Sequence, residues 1–541
     1  MFAAFSLLLL PLALCARIPN SPYPVPLDGL NASTSLLIFY SDGLSDADSL
    51  TLSALQGLAN RRRPTLARTV RGGAAELWLN ATRDLWGTPL NYTLSAAGLP
   101  ALVAALSPAI PLAGYVLCSL ADASANAGAA FAAARGALLV TPDNAPLAAG
   151  AGLRLLADVR GRDWAWAAAA LNGSGGFAFS RSVTTLQQPA KAACCMTDYS
   201  VAFGALQWWE ASAASAAAQR AWGALAPGFA ALGWGPDELD TVTAASRAGG
   251  AVVASDWASN LDVLSSFDVA ALAQRRPPPP PPPPAPAPVH TVSFLMSDGD
   301  NVQFLLSGFA TGAAWYGSPA RGSVAMGWTL SAATADLAPI VPHVLYANAS
   351  AVDGFVGGVS GAGYFYPDEV LAGGGGSEGA ARLAALAALT AGAMAKADLR
   401  VLNVLARGAG VSAAAAEALL AQPQIGALLW YPFSDYSGLR GGVSWSSGGK
   451  PVIGGRFNLW GNGSDPSGPT FLNVTGMAAA LLAQARDPAS AAGYSLVPVH
   501  AWSHSVADVA QVMALVREGG GGVEAVTPEV LVQRVVANVK R

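Results

Sequence analysis

Thr291-Val-Ser-Phe-Leu-Met-Ser-Asp-Gly-Asp-Asn301 passes from an almost unbroken apolar run straight into two carboxylates on a glycine turn. A short apolar run of this kind reads as a strand buried on both faces, as in a parallel sheet. The polar turn then falls at the strand's C-terminal end. The same pattern repeats downstream. Strands are expected at 291–296, 323–328, 354–359, 400–405, 426–431, 450–453, 495–499 and 523–526. Ala/Leu-rich helical stretches at 378–397, 412–421, 477–485, 506–516 and 529–539 separate most of them. Seven or eight such units predict an α/β protein with a C-terminal β/α barrel. An open doubly wound sheet is the alternative, because alternation alone does not close a barrel.

In either architecture ligands bind at the C-terminal ends of the strands. Asp298, Asp300 and Asn301 follow the first strand. Two close carboxylates can hold a metal or split their pKa values into an acid and a base; the competing reading is a turn whose Asp side chains cap backbone N–H groups. Trp328 ends the second strand, and Tyr364, Tyr366, Asp368 and Glu369 follow the third. Glu369 or Asp368 is a candidate partner for the Asp-Gly-Asp pair, although Pro367-Asp368-Glu369 also suits a helix start. Asn403, Asp435, Arg456, Asn458 and Trp460 follow later strands, and His500, Trp502 and His504 follow the seventh. A histidine there can act as general base, hydrogen-bond donor or ligand. The aromatics offer flat faces to sugar rings, if they are not simply core.

N-terminal to this region, Pro277–Pro284 forms a polyproline run that cannot enter a sheet or a helix interior. It is the natural spacer between an N-terminal α/β domain (17–274) and the C-terminal domain (290–541), with 275–289 as linker. In the N-terminal part strands are expected at 36–40, 115–118, 138–140 and 251–254, and a helix at 48–60 closed by Pro64. Residues 1–16 have the short apolar core and small-residue end of a cleaved signal peptide. N-x-[S/T] sites at Asn31, Asn80, Asn91, Asn172, Asn348, Asn462 and Asn473 fit a secreted glycoprotein. Beyond the leader, Cys118, Cys194 and Cys195 make no disulfide framework; one bridge, from Cys118 to either Cys194 or Cys195, is open to them, and adjacent cysteines seldom pair. Charged residues are only 12% of the chain, and the net charge is −4. Arg61-Arg62-Arg63 is the only basic triplet, so nucleic acid is not an expected partner. No segment beyond the leader reads as a membrane span. Oligomeric state is not legible.

Gly361-Ala-Gly-Tyr-Phe-Tyr-Pro367 carries the signature from which the GxGYxYP family takes its name. Further blocks are similar to that family: Ser297–Gln303, Gly449–Val452 and Val499–His504 in the C-terminal part, and Leu55–Asn60, Gly233–Glu238 and Asp256–Asn260 in the N-terminal part. The resemblance spans nearly all of the mature chain. It implies an N-terminal α/β domain, a C-terminal barrel of the glycoside hydrolase/deacetylase type, and carbohydrate as substrate. It transfers no catalytic roles.

Three functions are therefore weighed. The first is glycoside hydrolysis without a cofactor, by Asp298 or Asp300 with Glu369, assisted by His500. The second is a metal-assisted carbohydrate deacetylase, in which Asp298 or Asp300 joins His500 or His504 around a divalent ion. The third is a secreted carbohydrate-binding protein that uses the aromatics and Arg456. The N-terminal domain is expected to brace the cleft through Asp256 and Asn260, while Asp237-Glu238 caps a helix.

Overall fold

The computed structural model describes residues 21–24, 35–87, 90–93, 98–173, 176–267, 269, 272–274, 288–461 and 470–541. The leader, Asn31, Asn462 and the proline run lie outside the described residues, as do the side chain of Asn91 and the cleavage site.

The N-terminal half is not one sheet but three, all parallel. The first joins β1 (Leu36–Tyr40), β2 (Leu66–Thr69) and β3 (Leu90–Thr93) in the order β2-β1-β3. The second joins β4 (Gly114–Leu117), β5 (Ala137–Val140) and β6 (Leu155–Asp158) in the order β5-β4-β6. The third joins β7 (Val183–Leu186), β8 (Leu206–Trp208), β9 (Ala230–Gly233) and β10 (Ala251–Val253) in the order β10-β9-β7-β8. Strands of three or four residues carry too little pattern to separate from surrounding alanine, which is why several are invisible in sequence.

The C-terminal half is a single curled sheet. Its strands are β11 (His290–Met296), β12 (Met326–Leu330), β13 (Asp353–Gly357), β14 (Val401–Ala406), β15 (Ala427–Pro432), β16 (Val443–Trp445), β17 (Pro451–Gly454), β18 (Asn458–Leu459), β19 (Phe471–Leu472), β20 (Tyr494–Val499) and β21 (Val523–Ala525). The order runs β16-β17-β15-β14-β13-β12-β11-β20-β18-β19, with β21 also on β11. All eight expected strands are present within a few residues. Every residue of β11, β14, β15 and β20 is buried, as their apolar composition requires. An isolated parallel bridge joins Gly455, just past β17, to Leu496 of β20, so two distant strands of the sheet order touch. Among the described residues, no helix is long and apolar enough to cross a membrane.

The apolar core is continuous between the halves: Leu232 and Val253 of the third sheet share a cluster with Phe294, Met296 and Leu330 of the curled sheet. A polar network lies in the N-terminal half. Gln56 Nε2 donates to Asp198, Asn260 and Asp262, and Asn60 Nδ2 donates to Asp262 at 2.7 Å. Arg68 faces Asp198 at 3.6 Å, and its backbone exchanges hydrogen bonds with the Asn260 side chain. Burial, with the Asp198 charge beside it, raises the Asp262 carboxyl to about 8. The Leu55–Asn60 and Asp256–Asn260 blocks thus meet in one fold-holding cluster.

Cys118 makes no bridge. Cys194 is joined to its neighbour Cys195, while Cys118 is free and buried against the β5 backbone. Asn172, Asn348 and Asn473 are exposed.

Candidate active site

The turn after β11 is locked to β12. Gly299 N–H donates to Thr329 Oγ1 at 2.8 Å, and Ser331 N–H donates to Gly299 O at 2.7 Å. A Cβ on Gly299 would lie 1.6 Å from Thr329 O, so only glycine fits between the carboxylates. Asp298 has φ +67°, a left-handed conformation that Asp tolerates better than most residues. Its Oδ1 accepts from Trp502 Nε1 at 2.9 Å and its Oδ2 from Ser297 Oγ. Asn301 caps the following helical turn by accepting from Phe304 N–H.

These residues open on a cavity of about 340 Å³ at the C-terminal ends of the strands. Thr329, Asn403, Tyr431 and His500 bring β12, β14, β15 and β20 to the same space. Asn403 Oδ1 and Tyr431 Oη are buried at its wall without a protein partner. The His500 ring stacks on Trp460 at 3.8 Å, and its Nδ1 lies 2.8 Å from Ser503 Oγ. Tyr436 and Trp502 complete the aromatic lining.

The remaining wall comes from the N-terminal half, as Trp234, Glu238 and Ala254. The Gly361–Pro367 motif puts them there. Gly361 and Gly363 have φ +146° and +155°, and Cβ atoms on them would meet Thr390 at 2.3 Å and Ala251 at 2.9 Å. Close approach lets Tyr364 exchange both backbone hydrogen bonds with Val252 of β10, at 2.9 and 2.6 Å. Tyr364 Oη then donates to Glu238 Oε1 at 2.9 Å and lies 3.2 Å from Tyr366 Oη. Tyr366 N–H donates to Ser246 Oγ, and Glu369 pairs with Arg247 at 2.6 Å. The motif is therefore an interdomain clasp.

The cavity holds three carboxyl groups, Asp298, Asp300 and Glu238, and neither Lys nor Arg lines it. Burial pushes the Glu238 carboxyl up, the Tyr364 hydrogen bond opposes this, and the Asp298 charge adds to it. Burial raises Asp300 well above the carboxylate range, with the charges of Asp298 and Glu238 in the same direction.

Asp298, Asp300, Asn301, Tyr364, His500 and Trp502 are brought together as the sequence suggested, with Asn403 and Trp460. The other candidates are not. Glu369 is held by Arg247 and Arg407 outside the cavity, and Asp368 caps the backbone of Arg407 and Gly408. Tyr366 packs behind Tyr364 against Phe433. Trp328 is core, with Nε1 on Asp353. Asp435 caps its own exposed turn at Ser437, and Arg456 donates to the carbonyls of Tyr494 and Ala491. His504 is buried with Nδ1 3.5 Å from Asp508. Asp256 pairs with Lys191, and Asn260 belongs to the buried network. Among the described residues no three His, Cys, Asp or Glu side chains are grouped to hold a metal, so the Asp–His set of the second reading is not assembled.

Glu238 is the residue that sequence reasoning missed. Asp237 does cap the helix Glu238–Arg247, accepting from Asp240 N–H at 2.9 Å. Glu238, one residue on, turns into the cavity instead. The clue available was the Gly233-Trp-Gly-Pro-Asp-Glu238 block, with its Trp234 on the same wall.

The family profile described as "GxGYxYP putative glycoside hydrolase C-terminal domain" matches residues 288–535. Those described as "GxGYxYP_N second domain" and "GxGYxYP third domain" match 112–174 and 181–266, the second and third N-terminal sheets. Among solved structures, a protein from Bacteroides thetaiotaomicron VPI-5482 described as "a putative hydrolase" is similar with a TM-score of 0.82 and 26% identity, over 96% of this chain and 98% of that one. No curated protein matches the chain in sequence.

Proposed function

The chain belongs to the GxGYxYP family, and from that premise we propose that it is a secreted glycoside hydrolase whose acid–base chemistry spans its two halves. The observation that carries this reading is the cavity with three carboxyl groups and no lysine or arginine. Carboxyl groups with separated proton affinities are what glycosidic cleavage needs.

Glu238 is the general acid. Burial raises its proton affinity, the direction a general acid requires, and its proton passes to the departing glycosidic oxygen. Asp298, oriented by hydrogen bonds from Trp502 Nε1 and Ser297 Oγ, supplies the base or nucleophile. The C–O bond breaks, one water is consumed, and its proton ends on a carboxylate. Asp300, whose proton affinity burial raises, hydrogen-bonds a sugar hydroxyl from the same wall. Tyr436, Trp460 and Trp234 offer faces to the ring. We read the curled sheet as a seven-stranded barrel closed through Gly455 and Leu496, with the cleft at its mouth.

The deciding experiment is a turnover screen on aryl glycosides and polysaccharides, with Glu238→Gln, Asp298→Asn and Asp300→Asn as controls. Product stereochemistry by proton NMR then says whether Asp298 attacks carbon or activates water. Activity that survives in all three folded variants would remove the basis of this mechanism. Export is checked separately, by glycan mass on Asn172, Asn348 and Asn473 after expression in a secreting eukaryotic host.

A further inference from the structure

A second cavity, of about 330 Å³, adjoins the cleft, and Gln303 lines both. Gln303 is a fixed partition. Its N–H donates to Ala254 O at 3.2 Å, and its Oε1 accepts from Trp257 N–H at 2.6 Å. Trp257 rims the second cavity and is 57% exposed, as Trp502 rims the cleft at 53%. Apart from Trp166, no other described tryptophan side chain is exposed. Trp257 is nevertheless held in place. Lys191 Nζ lies 4.6 Å from its ring centre, and Lys191 is itself fixed by Asp256 at 2.7 Å. An indole with its backbone and one face secured, left open beside a cavity, is a ready stacking platform.

The rest of the lining says what kind of ligand fits. Arg68 is the cationic side chain in this wall, and it is already satisfied: it donates to Ser53 Oγ and to the carbonyls of Ala193 and Cys194, and it faces Asp198. An anion would find no spare charge. Hydroxyls of Ser41, Thr69 and Ser259 alternate instead with apolar Leu52 and Leu264. That mixture suits a neutral ligand with polar edges and apolar faces.

We propose that the second cavity is a distal sugar subsite, in which units of the glycan held in the cleft continue past Gln303 and stack on Trp257. The substrate is then a neutral oligo- or polysaccharide rather than a single glycoside. This rests on the hydrolase reading above, and the test separates the two.

Wild type, Trp257→Ala and Trp257→Phe are assayed on hexasaccharides of β-1,4-glucose, β-1,4-xylose, β-1,4-mannose and α-1,4-glucose, and on the matching aryl monoglycosides. For wild type, kcat/KM should be higher on one hexasaccharide than on its monoglycoside. In Trp257→Ala the ratio of the two should fall about five- to tenfold, the size of one lost stacking contact, through KM rather than kcat. Trp257→Phe should restore most of it. If monoglycosides are cleaved and the ratio is the same in wild type and Trp257→Ala, the subsite is overturned and the hydrolase reading stands. If wild type neither binds nor cleaves any of these sugars, both fall together. Thermal unfolding of each variant shows that the fold is intact.

Discussion

Asp198 and Asp262 in the N-terminal half, fully buried, and Asp298, Asp300 and Glu238 in the cleft, half-buried, are two groups of carboxyls supported in opposite ways. The first group is surrounded by donors: Gln56, Asn60, Arg68 and the Asn260 backbone. The second has Ser297, Trp502 and Tyr364 as donors, no cation, and an open cavity in front of it. A buried charge without compensation is unfavourable, so folds keep one mainly where something else requires it. The contrast fits a first cluster that holds the fold and, on the function proposed above, a second that serves chemistry.

The largest expected effect is on turnover. Glu238→Gln and Asp298→Asn should each lower kcat by about 10²–10⁴-fold, the usual worth of a positioned acid or base. Their unfolding midpoints should stay near wild type or rise, because each amide keeps the carboxyl's shape and no ion pair is lost. A variant that lost both activity and several degrees of Tm would erase the distinction between the clusters.

Next comes Arg68→Met. It leaves two carboxyls at full burial without their cation and should cost about 3–5 kcal/mol in urea unfolding. The same cluster sets a pH dependence. The folded Asp262 carboxyl, at about 8, lies above its unfolded value of about 3.9. Its contribution to stability is therefore complete below about pH 4 and is lost as pH rises through 8. Thermal unfolding between pH 5 and pH 8.5 should show Tm falling, and Asp262→Asn should flatten the slope.

Finer resolution comes from Tyr364→Phe. The tyrosine hydrogen bond favours ionised Glu238, so its loss raises the proton affinity of the acid further. The alkaline limb of the pH–rate profile should move up by about one unit or less, with a smaller loss of kcat. A shift to lower pH would mean that the tyrosine supports the neutral acid. Smallest of all is the clasp's outer pair. Arg247 is half-exposed, so Arg247→Ala should cost no more than about 1 kcal/mol. Glu369→Gln, outside the cavity, should leave kcat within about threefold.

The curled sheet was legible because its strands are buried on both faces and read as apolar runs, of which β11 is the clearest. Asp298, Asp300 and His500 were legible because they follow such runs. The three N-terminal sheets were legible only in part: β1, β4, β5 and β10 read as apolar runs, whereas β8 is three residues long and lies among alanines. Glu369 and Glu238 mark the limit of the method. Both open a helix beside a proline, and only the fold shows that one meets two arginines while the other meets a cavity.

The paired backbone hydrogen bonds between Val252 and Tyr364 have a bearing on how such a protein can be inherited. Many multidomain chains are assembled from parts that genes can exchange, each bringing its own activity. A gene fragment covering only residues 288–535 would encode the floor of this cleft, with its two aspartates, but not Trp234 or Glu238. On the hydrolase reading proposed above, neither half alone would carry the complete acid–base set. The stitch at Tyr364 ties the two coding regions to a common fate, and descendants should retain or lose them together.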